Sequence, residues 1–152
     1  MKKKILSIFT MLCIMLSVVG CGSDSTGKGK INEAVTVGGI TITVGDDIRH
    51  GDDWMTVPTK IENNSKEEID IWWSSGTLVY ADGYEYTSDW LTGVYTSSSG
   101  ITKHDMEHVS VKPLESTTYR FAFDVADGVP TDDKPLKLKL SFKGNKFEFD
   151  LR

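Results

Sequence analysis

Only two cysteines and four prolines occur in the 152 residues. Cys13 lies inside the N-terminal apolar run, so the chain beyond it carries Cys21 alone. A single cysteine closes no internal disulfide, which excludes a disulfide-stapled scaffold. Positive charge is also short. Seventeen Lys and Arg face 22 Asp and Glu, a net charge of −5. Without Lys2, Lys3 and Lys4 the balance falls to 14 against 22, or −8. Such a chain is no nucleic-acid binder, and its net charge gains nothing from anionic lipid. Long hydrophobic stretches are equally scarce. The longest, Ile5 to Val19, has 15 residues, short of the roughly 20 that cross a bilayer as a helix. No later stretch shows a 3.6-residue apolar period. There is no G-x-S-x-G, and no glycine fingerprint opens a helix after a strand.

What is present begins with an export signal. Lys2 to Lys4 form a basic start, the apolar run follows, and Val18-Val19-Gly20-Cys21 ends it. Small residues before a cysteine resemble the lipobox of bacterial lipoproteins. That resemblance implies cleavage before Cys21 and a diacylglycerol anchor on its thiol, so the protein is expected on the extracytoplasmic face of the cell membrane. Two acyl chains hold firmly, each buried methylene contributing ~0.8 kcal/mol. The expected organisation is a signal peptide over 1–20, a lipidated cysteine and flexible tether over 21–33, and one domain over 34–152. Gly22 to Lys30 (GSDSTGKGK) has linker composition. Its likeness to a phosphate-binding loop fails because Gly29 stands where Ser or Thr would hold magnesium, and no strand precedes it.

From residue 34 the pattern alternates with period two, the signature of strands with one wet face. Leu136, Leu138, Leu140 and Phe142 face one way and Lys137, Lys139, Ser141 and Lys143 the other. Lys143 to Lys146 reads as a turn, after which Phe147, Phe149 and Leu151 alternate with Glu148, Asp150 and Arg152. Tyr119, Phe121, Phe123 and Val125 alternate with Arg120, Ala122 and Asp124, and Ile40, Ile42 and Val44 follow a Gly38-Gly39 turn. Met55, Val57 and Ile61 share a face, as do Ile69, Ile71 and Trp73, and an Asp82-Gly83 turn separates Leu78 and Tyr80 from Tyr84 and Tyr86. Eight or nine short strands of this kind predict an all-β, immunoglobulin-like antiparallel sandwich.

Several of these segments, in order, carry a family resemblance. They are Trp54-x-x-Val57, Ile61-Glu62-Asn63-Asn64-Ser65, Asp82-Gly83-Tyr84, and Val111 to Ser116 running into Tyr119-Arg120-Phe121-Ala122-Phe123. Together they resemble the telokin-like, immunoglobulin-like domain of Gram-positive surface lipoproteins. The resemblance implies the sandwich fold and brings no catalytic residue with it. Where that family shows Pro-Gly, this chain has Pro113-Leu114-Glu115.

Two clusters are candidates for chemistry. His104-Asp105-Met106-Glu107-His108 matches H-x-x-E-H, a zinc motif that needs a helix, and the flanking Gly100 and Val109-Ser110-Val111 argue against one. As a strand it puts His104, Met106 and His108 on one outward face, a donor set suited to copper or zinc. Asp46, Asp47, Asp52 and Asp53 share one loop, in a spacing that fits no calcium loop and no hydrolytic acid pair. Aromatics give the better lead. Trp72 and Trp73 must face opposite sides of a strand, Trp73 with the core and Trp72 with solvent. Trp90 and Tyr95 lie in a Ser/Thr/Gly-rich stretch too long for an ordinary hairpin loop. Trp72, Trp90 and Tyr95 form the candidate binding surface for a protein or glycan. The reading is therefore a non-enzymatic surface lipoprotein without a cofactor beyond its lipid. An exported metal carrier using His104, Met106 and His108 is the alternative.

Overall fold

The computed structural model describes residues 26–88 and 108–152. Twelve strands lie among them: β1 Thr26–Lys30, β2 Ala34–Val37, β3 Ile40–Val44, β4 Arg49–His50, β5 Trp54–Asn63, β6 Ile69–Trp72, β7 Gly76–Tyr80, β8 Glu85–Thr87, β9 His108–Val111, β10 Ser116–Asp124, β11 Leu136–Phe142 and β12 Asn145–Asp150. One sheet runs β1-β12-β11-β7-β8, and the other runs β10-β5-β3-β2 with β4 also on β5. β6 and β9 form a separate two-stranded ribbon. The expected sandwich is present, with more strands than the periodicity predicts. β4, with two residues, is below the length at which alternation can be read, and β1 lies in the segment assigned to the tether.

The core is built from the alternating residues. Leu136, Leu138, Leu140 and Phe142 meet Phe147, Phe149 and Leu151 from one sheet, and Ile40, Ile42, Val44, Val57, Ile61, Phe121 and Phe123 from the other. Each of these is at most 8% exposed, so each contributes ~1.5–3 kcal/mol by leaving water. β2 and β3 meet at Gly38-Gly39, both at positive φ (58° and 79°), the two-residue hairpin that glycine favours. Pro58 sits inside the ten-residue β5, where proline is normally excluded. Its carbonyl accepts from Gly45 N at 2.8 Å, so its nitrogen points the same way. On that side β3 has ended at Val44 and β4 starts only at Arg49. The missing N–H therefore breaks no ladder bond.

Three expectations need correction. Thr26 to Lys30, assigned to the tether, form β1 and pair in parallel with β12 from Thr26↔Lys146 to Lys30↔Asp150. The glycines that suggest a linker are spacers. A Cβ on Gly27 would stand 2.6 Å from both Val35 Cγ1 and Val37 Cγ2, and one on Gly29 would stand 2.5 Å from Val35 Cγ2. The sandwich thus already includes Thr26, the first of the described residues, ahead of the expected residue 34. Trp73 leaves the strand phase and opens a single 3-10 turn, Trp73–Ser75, where it is half-buried and not part of the core. Ala122, expected on the wet face, is 1% exposed, and its partner Thr56 is 0% exposed, so the centre of the β5–β10 pair is covered on both sides.

Gly29→Val should accordingly displace β1, at a cost of ~1–3 kcal/mol for overpacking. Hydrogen exchange should show the β1 amides losing protection while β5 and β11 keep theirs. Unchanged protection of residues 26–30 would contradict the spacer role.

Candidate functional site

The β6–β9 ribbon carries the site. Its inward side chains, Ile69, Ile71 and Val111, are at most 2% exposed and fasten it to the core. Its outward positions are Asp70 and Trp72 on β6, and Ser110 and His108 on β9. Antiparallel register sets Asp70 opposite Ser110 and Trp72 opposite His108. Trp72 is 50% exposed. Its indole stacks on the His108 imidazole with centroids 4.4 Å apart and planes inclined by 31°. Asp70 Oδ1 accepts from Ser110 Oγ at 2.8 Å and from His108 Nε2 at 3.0 Å. Those two hydrogen bonds, Ser110 first, hold the Asp70 carboxyl below its ordinary range. The result is an aromatic ring fixed from behind, beside an ionised carboxylate.

Asp, His and Ser here are the residue types of a hydrolytic triad without its wiring. A serine nucleophile gives its proton to the imidazole, and the carboxylate holds the imidazole's other nitrogen. In this ribbon both Ser110 and His108 donate to one carboxylate oxygen, so Ser110 has no base. As placed, the three cannot run acyl transfer.

The other expected residues are distributed as follows. His108 is exposed on the ribbon, as the parity predicts, and already bonded to Asp70. Its proposed metal partners His104 and Met106, together with Trp90, Tyr95 and Cys21, lie outside the described residues. Among the described residues no three His, Cys, Asp or Glu side chains are grouped to hold a metal. The four-aspartate loop has structural occupants. Asp47 Oδ2 accepts from Arg120 Nη2 at 2.6 Å and from Arg49 Nη2 at 3.0 Å, while Asp46 Oδ2 accepts from Asn32 Nδ2 at 3.0 Å. Arg49, then Arg120, lower the Asp47 carboxyl.

These lowered carboxylates set an acid limit. A group whose folded pKa lies below its unfolded value stabilises the fold above the unfolded pKa and loses that contribution as pH falls through the folded one. Asp47 and Asp70 belong to this class, and so does Asp132, lowered first by the Tyr80 hydroxyl it accepts. Stability should therefore hold above about pH 4 and fall below it. Urea midpoints measured from pH 7 to pH 2 check this. Asp47→Asn should flatten the acid limb, and an unaltered limb would remove Asp47 from the account.

Sequence reasoning found Trp72 and His108 and missed Asp70 and Ser110 as their partners. The bond from Ser110 to Asp70 spans 40 residues and that from Arg120 to Asp47 spans 73, and no local pattern announces either.

No protein-family model matches the chain, and no curated protein matches it in sequence. Solved structures do resemble it. An uncharacterised β-sandwich protein of Clostridium difficile is 21% identical with a TM-score of 0.51, over 88% of this chain and 99% of its own. The yjhA protein of Bacillus subtilis is 10% identical with a TM-score of 0.59, over 82% of this chain and 99% of its own. A candidate lipoprotein of Bacillus subtilis, ycdA, is 12% identical with a TM-score of 0.55, over 78% of this chain and 38% of its own. At such identities the likeness establishes the fold, and the chain is a β-sandwich protein.

Proposed function

We propose that this chain is a membrane-anchored, extracytoplasmic lipoprotein whose sandwich is a non-catalytic binding domain, and that the Trp72 face of the β6–β9 ribbon takes a glycan. The reading keeps the telokin-like, immunoglobulin-like family as its closest description. The observation that carries it is Trp72. A large ring left half in water costs the fold burial it could have had, and here its orientation is set by His108. A sugar ring offers C–H groups to stack on such an indole and hydroxyls to donate to the neighbouring Asp70 carboxylate. Trp90 and Tyr95 are proposed as extensions of the same surface. The wiring of Asp70, His108 and Ser110 supports binding over hydrolysis.

The test is titration of the mature chain with β-linked glucose and N-acetylglucosamine tetramers, followed by tryptophan fluorescence and calorimetry. Saturable binding is expected. If neither oligosaccharide binds while a purified surface protein does, the glycan assignment fails and a protein ligand replaces it. Anchoring is tested separately. Cys21→Ala should abolish acylation and move the protein from the detergent phase to the aqueous phase. A variant that still partitions with detergent at unchanged mass would end the lipoprotein reading.

A further inference from the structure

The loop from β9 to β10 presents an apolar side chain on an unfavourable backbone. Glu115 N donates to Lys112 O at 3.1 Å, closing a four-residue turn over Lys112-Pro113-Leu114-Glu115. Proline stands second, and Leu114, third, has a φ of 66°. That is the pattern of a type II turn, whose third position ordinarily takes glycine or asparagine because a larger side chain is crowded there. Leu114 is also 85% exposed, the most exposed of the large hydrophobic residues described. The turn itself is firmly held. Leu114 N donates to Asn63 O at 2.7 Å, and Asn63 N donates to Glu115 O at 2.9 Å. The fold thus fixes a leucine outward where both its backbone and its hydration disfavour it. Strain of this kind, with so little of the chain against the side chain, points to a contact outside the chain.

The loop shares one end of the sandwich with the start of β1. Asn63 ends β5, and Asn64 N donates to Gly39 O at 2.8 Å in the β2–β3 turn. Lys143, in the β11–β12 turn, bridges Glu67 at 2.9 Å. Thr26 pairs with Lys146 just beyond that turn. Cys21 lies five residues before Thr26. Five residues stretch to only about half the length of the ten-residue β5. A lipid on Cys21 therefore keeps the Leu114 end near the bilayer and forbids the inverted orientation.

Charge favours the same end. Among the described residues, the connections at the opposite end are 31–33, 45–53, 81–84, 125–135 and 151–152. They carry nine Asp and Glu against three Lys and Arg. The turns at the Leu114 end, 38–39, 64–68, 112–115 and 143–144, carry three of each. A bilayer containing anionic lipid repels the first group and is indifferent to the second.

We propose that Leu114 docks this end of the sandwich on the bilayer, its side chain entering the interface between headgroups and acyl chains. The inference rests on the Cys21 anchor proposed above. One leucine is too little apolar surface to bring a free protein to a membrane. On a tethered domain it has only to bias orientation, because the tether already supplies a high local concentration of lipid.

The experiment uses the mature chain, whose one thiol is Cys21. That thiol is coupled to a maleimide lipid in nanodiscs of phosphatidylcholine and phosphatidylglycerol, so the measurement does not depend on acylation in the cell. A spin-labelled lipid in the same discs broadens the amide signals nearest the bilayer. Broadening is expected over 64–68, 112–115 and 143–144, greatest at Leu114, with 46–53 and 127–133 spared. Leu114→Asn keeps a residue suited to positive φ and removes the apolar contact. It should lower the ratio of docked to undocked domain about tenfold, with the urea midpoint unchanged or raised. Leu114→Met should retain docking. Equal broadening of both ends, or broadening indifferent to Leu114→Asn, overturns the proposal. Shifts at Leu114 that grow with protein concentration in the absence of lipid would assign it to contact between copies, and overturn it equally. Acylation of Cys21 is judged separately by Cys21→Ala in cells, so either reading can fail without the other.

Discussion

Asn63→Leu should destabilise the domain by about 3–5 kcal/mol, enough to unfold much of a protein of ordinary marginal stability. Asn63 ends β5 with no exposed surface. Its Nδ2 donates to Glu67 O at 2.7 Å and to Val111 O at 2.8 Å, and its Oδ1 accepts from Ser65 N at 3.0 Å and Ser65 Oγ at 2.7 Å. Its own backbone accepts from Leu114 N at 2.7 Å and donates to Glu115 O at 2.9 Å. One side chain thus ties the end of β5 to the loop before β6 and to the end of β9. Leucine has similar volume and no polar atom, so Val111 O loses its partner in a buried bond and Glu67 O and Ser65 N lose theirs in part-buried ones, each at up to ~1–3 kcal/mol. Asn63→Asp sharpens the test. A carboxylate could still accept from Ser65 but would face two carbonyls with nothing to donate. Burial would raise its folded pKa, so its penalty should grow as pH rises above about 4 and shrink in acid. Urea unfolding at pH 7 and pH 4.5 measures both variants. A loss under 1 kcal/mol for Asn63→Leu would show that the carbonyls find other partners.

Trp72→Ala is expected to separate binding from folding. Stability should change by no more than about 0.5 kcal/mol, because the ring is half in water and its neighbour His108 keeps Asp70. Affinity for the oligosaccharide should fall by ~1–3 kcal/mol, or about 5- to 150-fold, if the indole is the anchor of the site. Trp73→Ala should show the reverse. Its half-buried ring implies a cost of ~1–2 kcal/mol, below the 3–5 of a core tryptophan, with affinity preserved. Paired calorimetric titrations and urea melts decide between these outcomes. If Trp72→Ala retains full affinity, the ribbon face loses its assignment.

How far the fold can be read in advance depends on the size of the side chains involved. Leu136 to Phe142 and Phe147 to Leu151 alternate large apolar residues with polar ones, all charged but Ser141, and every inward position is buried. β1 alternates just as strictly, glycine against Thr26, Lys28 and Lys30. There the inward partner is an absence of side chain, which composition alone reads as a linker. Trp73 follows the parity of Ile69 and Ile71 up to the residue at which the strand ends, and the 3-10 turn then takes it out of phase. Thr56 and Ala122 look like wet-face residues because they are small or polar, yet long neighbours such as Arg120, which reaches Thr56 Oγ1 at 3.3 Å, cover them. At the candidate site the exposed tryptophan follows from strand parity. Its carboxylate follows only from the pairing of β6 with β9, and long-range pairing leaves no local trace.

Together with the proposed anchor, the place of β1 in the sandwich would also restrict where the protein can act. If Cys21 is the point of attachment, as proposed, five peptide units would separate the lipid from Thr26, a maximum reach of about 17 Å at ~3.4 Å per residue. A tether running to residue 33 would have allowed about 45 Å by the same measure. On the proposed anchoring, the domain would stand as a sentry at the bilayer and not a line cast outward. It would then meet only what diffuses to within a few nanometres of the membrane, or what is anchored there beside it.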